Sequence, residues 1–136
     1  KMTQKYPIKY AKCLCGGIKV RITGKLRYVS NCHCSQCTKT HGNFASYTSC
    51  KIEDMKFLES KGLKWFKSSL NAKRGFCKKC GASFFFKRNK SKYISISAGM
   101  FTKPTNLKTK HNIFIKGKLD YYYLDKRIPK YNSYPK

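Results

Sequence analysis

The chain reads as a mainly β protein built from short strands and stapled at two points by metal. Three observations predict this. Apolar residues alternate with polar ones over short stretches, and no long helical period runs anywhere in the 136 residues. Seven of the eight cysteines fall into three close clusters: Cys13-x-Cys15, Cys32-x-Cys34-x2-Cys37 and Cys77-x2-Cys80. No internal repeat at solenoid spacing occurs, and no low-complexity segment beyond a general lysine enrichment.

Taken in order, Tyr6, Ile8 and Tyr10 alternate within residues 1–12 and predict a first strand. Gly16 and Gly17 follow the first cysteine pair, and their backbone freedom lets two neighbouring thiolates aim at one ion. Residues 18–23, Ile-Lys-Val-Arg-Ile-Thr, alternate cleanly and predict a half-buried strand ending at Gly24. Tyr28 and Val29 form a short strand leading into the cysteine triplet. Ser35 to Thr40 reads as one helical turn, capped by Ser35 and stopped at Gly42. In that turn Cys34 and Cys37 share one face, and Cys32 enters from the extended chain before it.

Residues 44–50 predict the next strand, and Met55–Leu58 and Leu63–Phe66 two more, joined around Lys61-Gly62. Phe76 leads into Cys77-Lys78-Lys79-Cys80-Gly81, a knuckle turn in which Gly81 relieves the backbone after the second cysteine. Phe84 begins another strand, and Tyr93 to Ser97 a further one, ending near Gly99. His111 opens a strand that carries the apolar run Ile113-Phe114-Ile115, followed by Tyr121 to Leu124. Residues 1–125 read as a single metal-stapled domain. Residues 126–136, with Pro129, Pro135 and little apolar content, read as a surface tail.

Clustered cysteines at this spacing are metal ligands before they are core residues, and thiolate-rich sets point first to zinc. The clusters count two, three and two. If none is split and one site is a closed tetrahedron, Cys13, Cys15, Cys77 and Cys80 share one ion and Cys32, Cys34 and Cys37 stand apart. Closed four-ligand zinc is structural as a rule, whereas three protein ligands leave a position for water or substrate. Two other uses stay open: buried unliganded thiols at the pairs, and a second structural zinc at the triplet completed by His33, His41, Cys50 or His111. Disulfides are the competing explanation for eight cysteines, and the spacings suit shared ions better.

His33 sits between two triplet cysteines and reads as a residue behind the ligands or at the surface. His111 reads as a hydrogen-bonded structural histidine, and Cys50 as a small core residue. Ser35 and Lys39 offer either an anion contact or a helix cap and a solvated lysine. The only acids are Glu53, Asp54, Glu59, Asp120 and Asp125, with no paired-carboxylate motif, which argues against carboxylate acid–base catalysis. Phe84 to Phe86 and Tyr121 to Tyr123 read as core and sheet-face aromatics, or as stacking platforms for bases.

The formal net charge is +26, a field that attracts any anion. Arginine occurs only at Arg21, Arg27, Arg74, Arg88 and Arg127, so the excess is mostly lysine. Base and phosphate recognition favours arginine's planar fork, which argues against sequence-specific nucleic-acid reading. Lysines that merely solvate the surface explain the charge equally well. No stretch approaches the roughly 20 apolar residues that span a bilayer. No signal peptide is visible, and the expected compartment is the cytoplasm.

Cys13-x-Cys15-Gly16, Cys32-His33-Cys34-Ser35-x-Cys37-x-Lys39, Gly42 and Phe76-Cys77-x2-Cys80-Gly81 together resemble the glutathione-dependent formaldehyde-activating enzyme family, also called the centromere-protein-V/Gfa family. His111-Asn112-Ile113-Phe114-Ile115, then Lys118, Tyr121, Asp125, Pro129 and Tyr131, resemble its C-terminal block. The resemblance implies an Mss4-like fold of short antiparallel strands with two zinc ions. It implies a structural zinc on Cys13, Cys15, Cys77 and Cys80 and a catalytic zinc on Cys32, Cys34 and Cys37. It implies a carbon–sulfur lyase that condenses formaldehyde with glutathione, a small anionic thiol, to S-hydroxymethylglutathione. The alternative is a non-enzymatic zinc-stabilised module with a basic face for nucleic acid or another polyanion.

Overall fold

The computed structural model describes residues 5–135. Among them ten short strands form two sheets. Lys9–Lys12 (β1), Lys19–Ile22 (β2) and Met55–Glu59 (β5) make a three-stranded antiparallel sheet in the order β1-β2-β5. The larger sheet holds Val29–Cys32 (β3), Ala45–Lys51 (β4), Leu63–Ser69 (β6), Ala72–Cys77 (β7), Ser83–Arg88 (β8), Tyr93–Ser97 (β9) and Thr109–Ile113 (β10). Its order is β10-β3-β4-β9-β8-β7-β6, antiparallel except for the parallel pair β10–β3. That parallel pair departs from the expected all-antiparallel pattern. The one α-helix among the described residues is Ser35–His41 (α1), between β3 and β4. No helix among the described residues is long and apolar enough to cross a membrane.

The β2 alternation places Val20 and Ile22 inward, fully buried beside Ile18. They pack with Phe84, Phe85, Ile94 and Ile96 in one cluster that joins the two sheets. Each such side chain contributes about 1.5–3 kcal/mol by leaving water. The β7–β8 register shifts between Gly75 and Phe76, opposite Phe85 and Ser83, so Phe84 is an extra residue and both neighbouring rings are buried. Gly75 is required here: a Cβ would lie 3.0 Å from Phe85 and from Trp65. Cys50 is buried in this cluster, as expected of a small core residue.

Three expectations need correction. Tyr6, Ile8 and Tyr10 do belong to or precede a strand, but Ile8 and Tyr10 are exposed while Ala11 faces the core. The inward face of β1 is set by pairing with β2, not by its aromatics; residues 1–4 of that stretch lie outside the described residues. The last strand starts at Thr109 and stops at Ile113, because Phe114 is left-handed (φ 55°) and Ile115 opens a short 3-10 turn. Cys34, not Ser35, caps α1, its sulfur accepting the Cys37 N–H at 3.4 Å. Gly42 ends the helix as expected, at φ 105°.

Beyond β10 the chain returns along it. Asn112 N–H donates to the Pro129 carbonyl, Tyr131 N–H to the Asn112 carbonyl and Phe114 N–H to the Ser133 carbonyl, at 2.9 to 3.1 Å. Residues 129–133 are therefore hydrogen-bonded to the sheet edge, with most of their side chains exposed.

Candidate functional site

All eight cysteines are unbridged. Seven of them form two convergent groups, Cys13, Cys15, Cys77 and Cys80 in one and Cys32, Cys34 and Cys37 in the other, with sulfurs within 4.8 Å of one another in each. Both groups could hold a metal ion.

The four-sulfur group is made by two tight turns. Cys13 and Cys15 flank a turn with Gly16 at φ 79°, and Cys77 and Cys80 a turn with Gly81 at φ 80°. Ile18 N–H donates to Cys13 Sγ at 3.3 Å and Gly17 N–H to Cys15 Sγ at 3.4 Å. The amides of Cys15 and Ala82 hold the Cys80 thiol down to about 6. Amide donors aimed at sulfur stabilise the thiolate, the form a metal binds. Side chains are kept away: a Cβ on Gly62 would lie 2.7 Å from Cys77 Sγ, and one on Gly17 3.1 Å from it. Gly62 N–H bonds the Gly17 carbonyl at 2.9 Å, so bare backbone cradles the sulfurs. The donor set and the cradle fit a closed tetrahedral zinc.

The three-sulfur group sits where β3 runs into α1. His33 N–H bonds the Ile113 carbonyl at 3.0 Å, so the parallel strand β10 pins the backbone between Cys32 and Cys34. The His33 ring is fully buried behind the group, not at the surface. Its Nε2 lies 2.9 Å from Asn112 Oδ1 and its Nδ1 2.6 Å from the Tyr122 hydroxyl. A carbonyl oxygen only accepts, so Nε2 carries the proton and Nδ1 accepts from Tyr122.

Cys34 is held well below the ordinary thiol range by its contacts with Cys32 and Cys37, and the same contacts push Cys32 well above it. One thiolate is thus favoured, with neighbouring thiols donating to it, and a cation is the natural replacement for those protons.

None of the proposed fourth donors joins the group. His33 is engaged with Asn112 and Tyr122, His111 Nδ1 with Ser30 at 3.1 Å, His41 Nε2 with Tyr47 at 3.0 Å, and Cys50 lies in the core. Ser35 and Lys39 are exposed on α1.

Two residues that no motif singled out, Arg74 and Tyr47, border the sulfurs together with His41. Arg74, on β7, is 7% exposed. It donates from Nη2 to Cys37 Sγ at 3.5 Å, from Nη1 to the Tyr47 hydroxyl at 3.2 Å, and from Nε and Nη2 to Gln36 Oε1 at 3.3 Å. Burial pushes the Tyr47 phenol above its usual range despite Arg74. Burial, and then Arg74, bring His41 down to about 4. His41 is therefore neutral at pH 7 and can accept from Tyr47, whose oxygen accepts from Arg74. One usable signal existed: arginine is scarce here, and Arg74 stands out among the many lysines.

Cys32, Cys34, Cys37, Tyr47 and Arg74 line one end of a cleft of about 1420 Å³ that runs over a face of the seven-stranded sheet. The four-sulfur group lies outside it.

The family model described as glutathione-dependent formaldehyde-activating enzyme matches residues 9–117. No curated protein matches the chain. Among solved structures, a crystal structure of a Rhodobacter sphaeroides protein is similar with a TM-score of 0.57 at 18% identity, covering 74% of this chain and 99% of that one. At that identity the likeness speaks for the fold alone.

Proposed function

The chain belongs to the glutathione-dependent formaldehyde-activating enzyme family, and we propose that it is a zinc-dependent carbon–sulfur lyase acting on a thiol–aldehyde adduct of the S-hydroxymethylglutathione kind. One observation carries this: the Cys32, Cys34 and Cys37 sulfurs converge with no fourth His, Cys, Asp or Glu donor among the described residues and open into a cleft. In this reading those three are catalytic ligands, and Cys13, Cys15, Cys77 and Cys80 are structural ones. Residues 1–125 act as one Mss4-like domain and 126–136 as a surface extension. A cytoplasmic setting keeps the seven ligand thiols reduced.

The reaction joins a thiol to an aldehyde carbonyl. A sulfur–carbon bond forms, the carbon–oxygen π pair becomes a hydroxyl, and the thiol proton ends on that oxygen; the reverse reaction returns it. When bound, zinc supplies Lewis acidity and a counter-charge for the substrate thiolate. Arg74 fixes Cys37 and Tyr47 relative to each other through its planar fork. Tyr47, whose hydroxyl would turn from His41 to the substrate, is in this reading the proton donor to the adduct oxygen, with neutral His41 its acceptor at rest. The basic surface gathers the anionic thiol.

The test is metal content per chain on reduced protein, before and after a mild chelator, followed by NMR of S-hydroxymethylglutathione formation. The expected result is two zinc ions, one removed readily with loss of activity while the fold persists. Two equally tight zinc ions, or turnover unchanged after the labile ion is gone, would defeat the proposal.

A further inference from the structure

The cleft is much longer than its sulfur end. Strand registers map its floor. Cys32 pairs with Ala45, Tyr47 with Ser30 and Ser97, Ser49 with Ser95, and Lys51 with Tyr93. Phe86 pairs with Ser95, so Arg88 stands beside Tyr93, in the row of Lys51. That row lies six residues along β4 from the Cys32 row, about 20 Å at strand rise. Ser49 and Ser95 floor the middle.

The far half is cationic. Lys25, Lys51 and Arg88 line it, Arg27 stands nearer the middle on the Tyr47 carbonyl, and Asp54 is the only carboxylate lining the cleft. Three of the chain's few arginines, Arg27, Arg74 and Arg88, meet in this one cleft. None has an anionic oxygen partner: among the described residues the sole ion pair joins Arg127 to Asp125. Arg27 donates only to the Tyr28 and Tyr47 carbonyls, at 3.0 and 2.7 Å, and Arg88 to the Tyr134 hydroxyl. Cations gathered along a groove without matching carboxylates attract an anion from outside.

We infer that the substrate is an elongated thiol adduct whose anionic group, phosphate or carboxylate, lies roughly 15–20 Å from the reacting sulfur and is held by Lys51 and Arg88. This presupposes the sulfur site proposed above. A tripeptide thiol with its sulfur on the central residue reaches only about 10 Å in either direction, and leaves the cationic row empty.

The test is calorimetric titration of the zinc-loaded protein with glutathione, with coenzyme A (phosphates beyond a long thiol arm) and with the peptide Cys-Gly-Gly-Gly-Asp-Asp (carboxylates at similar reach). Each is repeated on a Lys51→Ala/Arg88→Ala variant; both side chains are exposed, so the fold is retained. At least one long thiol is expected to bind about tenfold tighter than glutathione and to lose that margin in the variant, with glutathione unaffected. Which long thiol responds identifies phosphate or carboxylate. No margin over glutathione, or a margin that survives the double substitution, overturns the inference. Cys34→Ser separates the two readings. If thiol affinity is unchanged there while the long thiol still depends on Lys51 and Arg88, the sulfur site fails and the cationic end stands.

Discussion

The four-sulfur group joins Cys15 to Cys77 across 62 positions of chain, whereas the three-sulfur group is made within one strand–helix junction. The first is bordered by backbone, with Gly62 leaving no room for a side chain and amides donating to the sulfurs, while Cys15 stays exposed. The second is surrounded by functional side chains, Arg74, Tyr47 and His41, and opens into a cleft. A cluster of four converging sulfurs bordered by backbone amides is suited to holding an ion. A cluster bordered by a guanidinium, a phenol and an imidazole, with none of its three cysteines exposed, sets reactive groups beside its sulfurs.

The sharpest way to break this contrast is to remove one sulfur from each group. Cys77→Ser is expected to cost on the order of 3–5 kcal/mol, about 10–20 °C of melting temperature, since structural zinc binding is coupled to folding. An unchanged melting curve contradicts a structural role. Cys34→Ser should leave melting within a few degrees while turnover falls about a hundredfold or more. Comparable activity in that protein removes the catalytic half of the contrast.

Gly62→Ala probes the backbone cradle alone. Its Cβ would meet Cys77 Sγ at 2.7 Å and the Gly17 carbonyl carbon at 3.1 Å, so about 1–3 kcal/mol of stability should go, together with faster release of the tighter zinc. Wild-type metal retention would show the cradle to be slack. Arg74→Lys probes the other wall. The donors of an ammonium sit on one nitrogen and do not span Gln36, Tyr47 and Cys37, which the guanidinium reaches from three, so turnover should drop about tenfold with a stability loss near 1 kcal/mol. Full activity would leave Arg74 with a packing role only.

The smallest effect concerns pH. His41 is held at about 4 when folded, against an ordinary 6.5, so acidification between those values protonates the unfolded chain first. Stability is lost as pH falls through that window and is unaffected by His41 above it. Because His41 is partly exposed, the loss from pH 7 to pH 5 should be about 1 kcal/mol. Denaturant titrations of wild type and His41→Gln at both values should differ by that amount. Parallel curves would mean that His41 titrates normally.

Both sulfur groups were legible because metal ligation is written in local spacing. Most strands were legible for the same reason: Ile18, Val20 and Ile22 bury one face and the alternation reports it. Strand β7 was not, since Ala72–Cys77 mixes Lys73, Arg74 and Gly75 without alternation and depends on its two neighbouring strands. Arg74 reaches Cys37 across 37 positions, and no local motif encodes such a contact. The cap moved from Ser35 to Cys34 because a sulfur placed by the cluster already stands at the N–H it accepts.

The separation of Cys15 from Cys77 also sets an order of events in time. During synthesis Cys13, Cys15, Cys32, Cys34 and Cys37 leave the ribosome well before Cys77 and Cys80. The triplet is a complete local chelator as soon as it emerges. The four-sulfur site exists only after a long loop has closed, which costs entropy and awaits the β7 turn. Where both groups take up an ion, the triplet's sulfurs are on offer first, and the four-sulfur site follows once Cys80 has emerged, with β8, β9 and β10 still to be made.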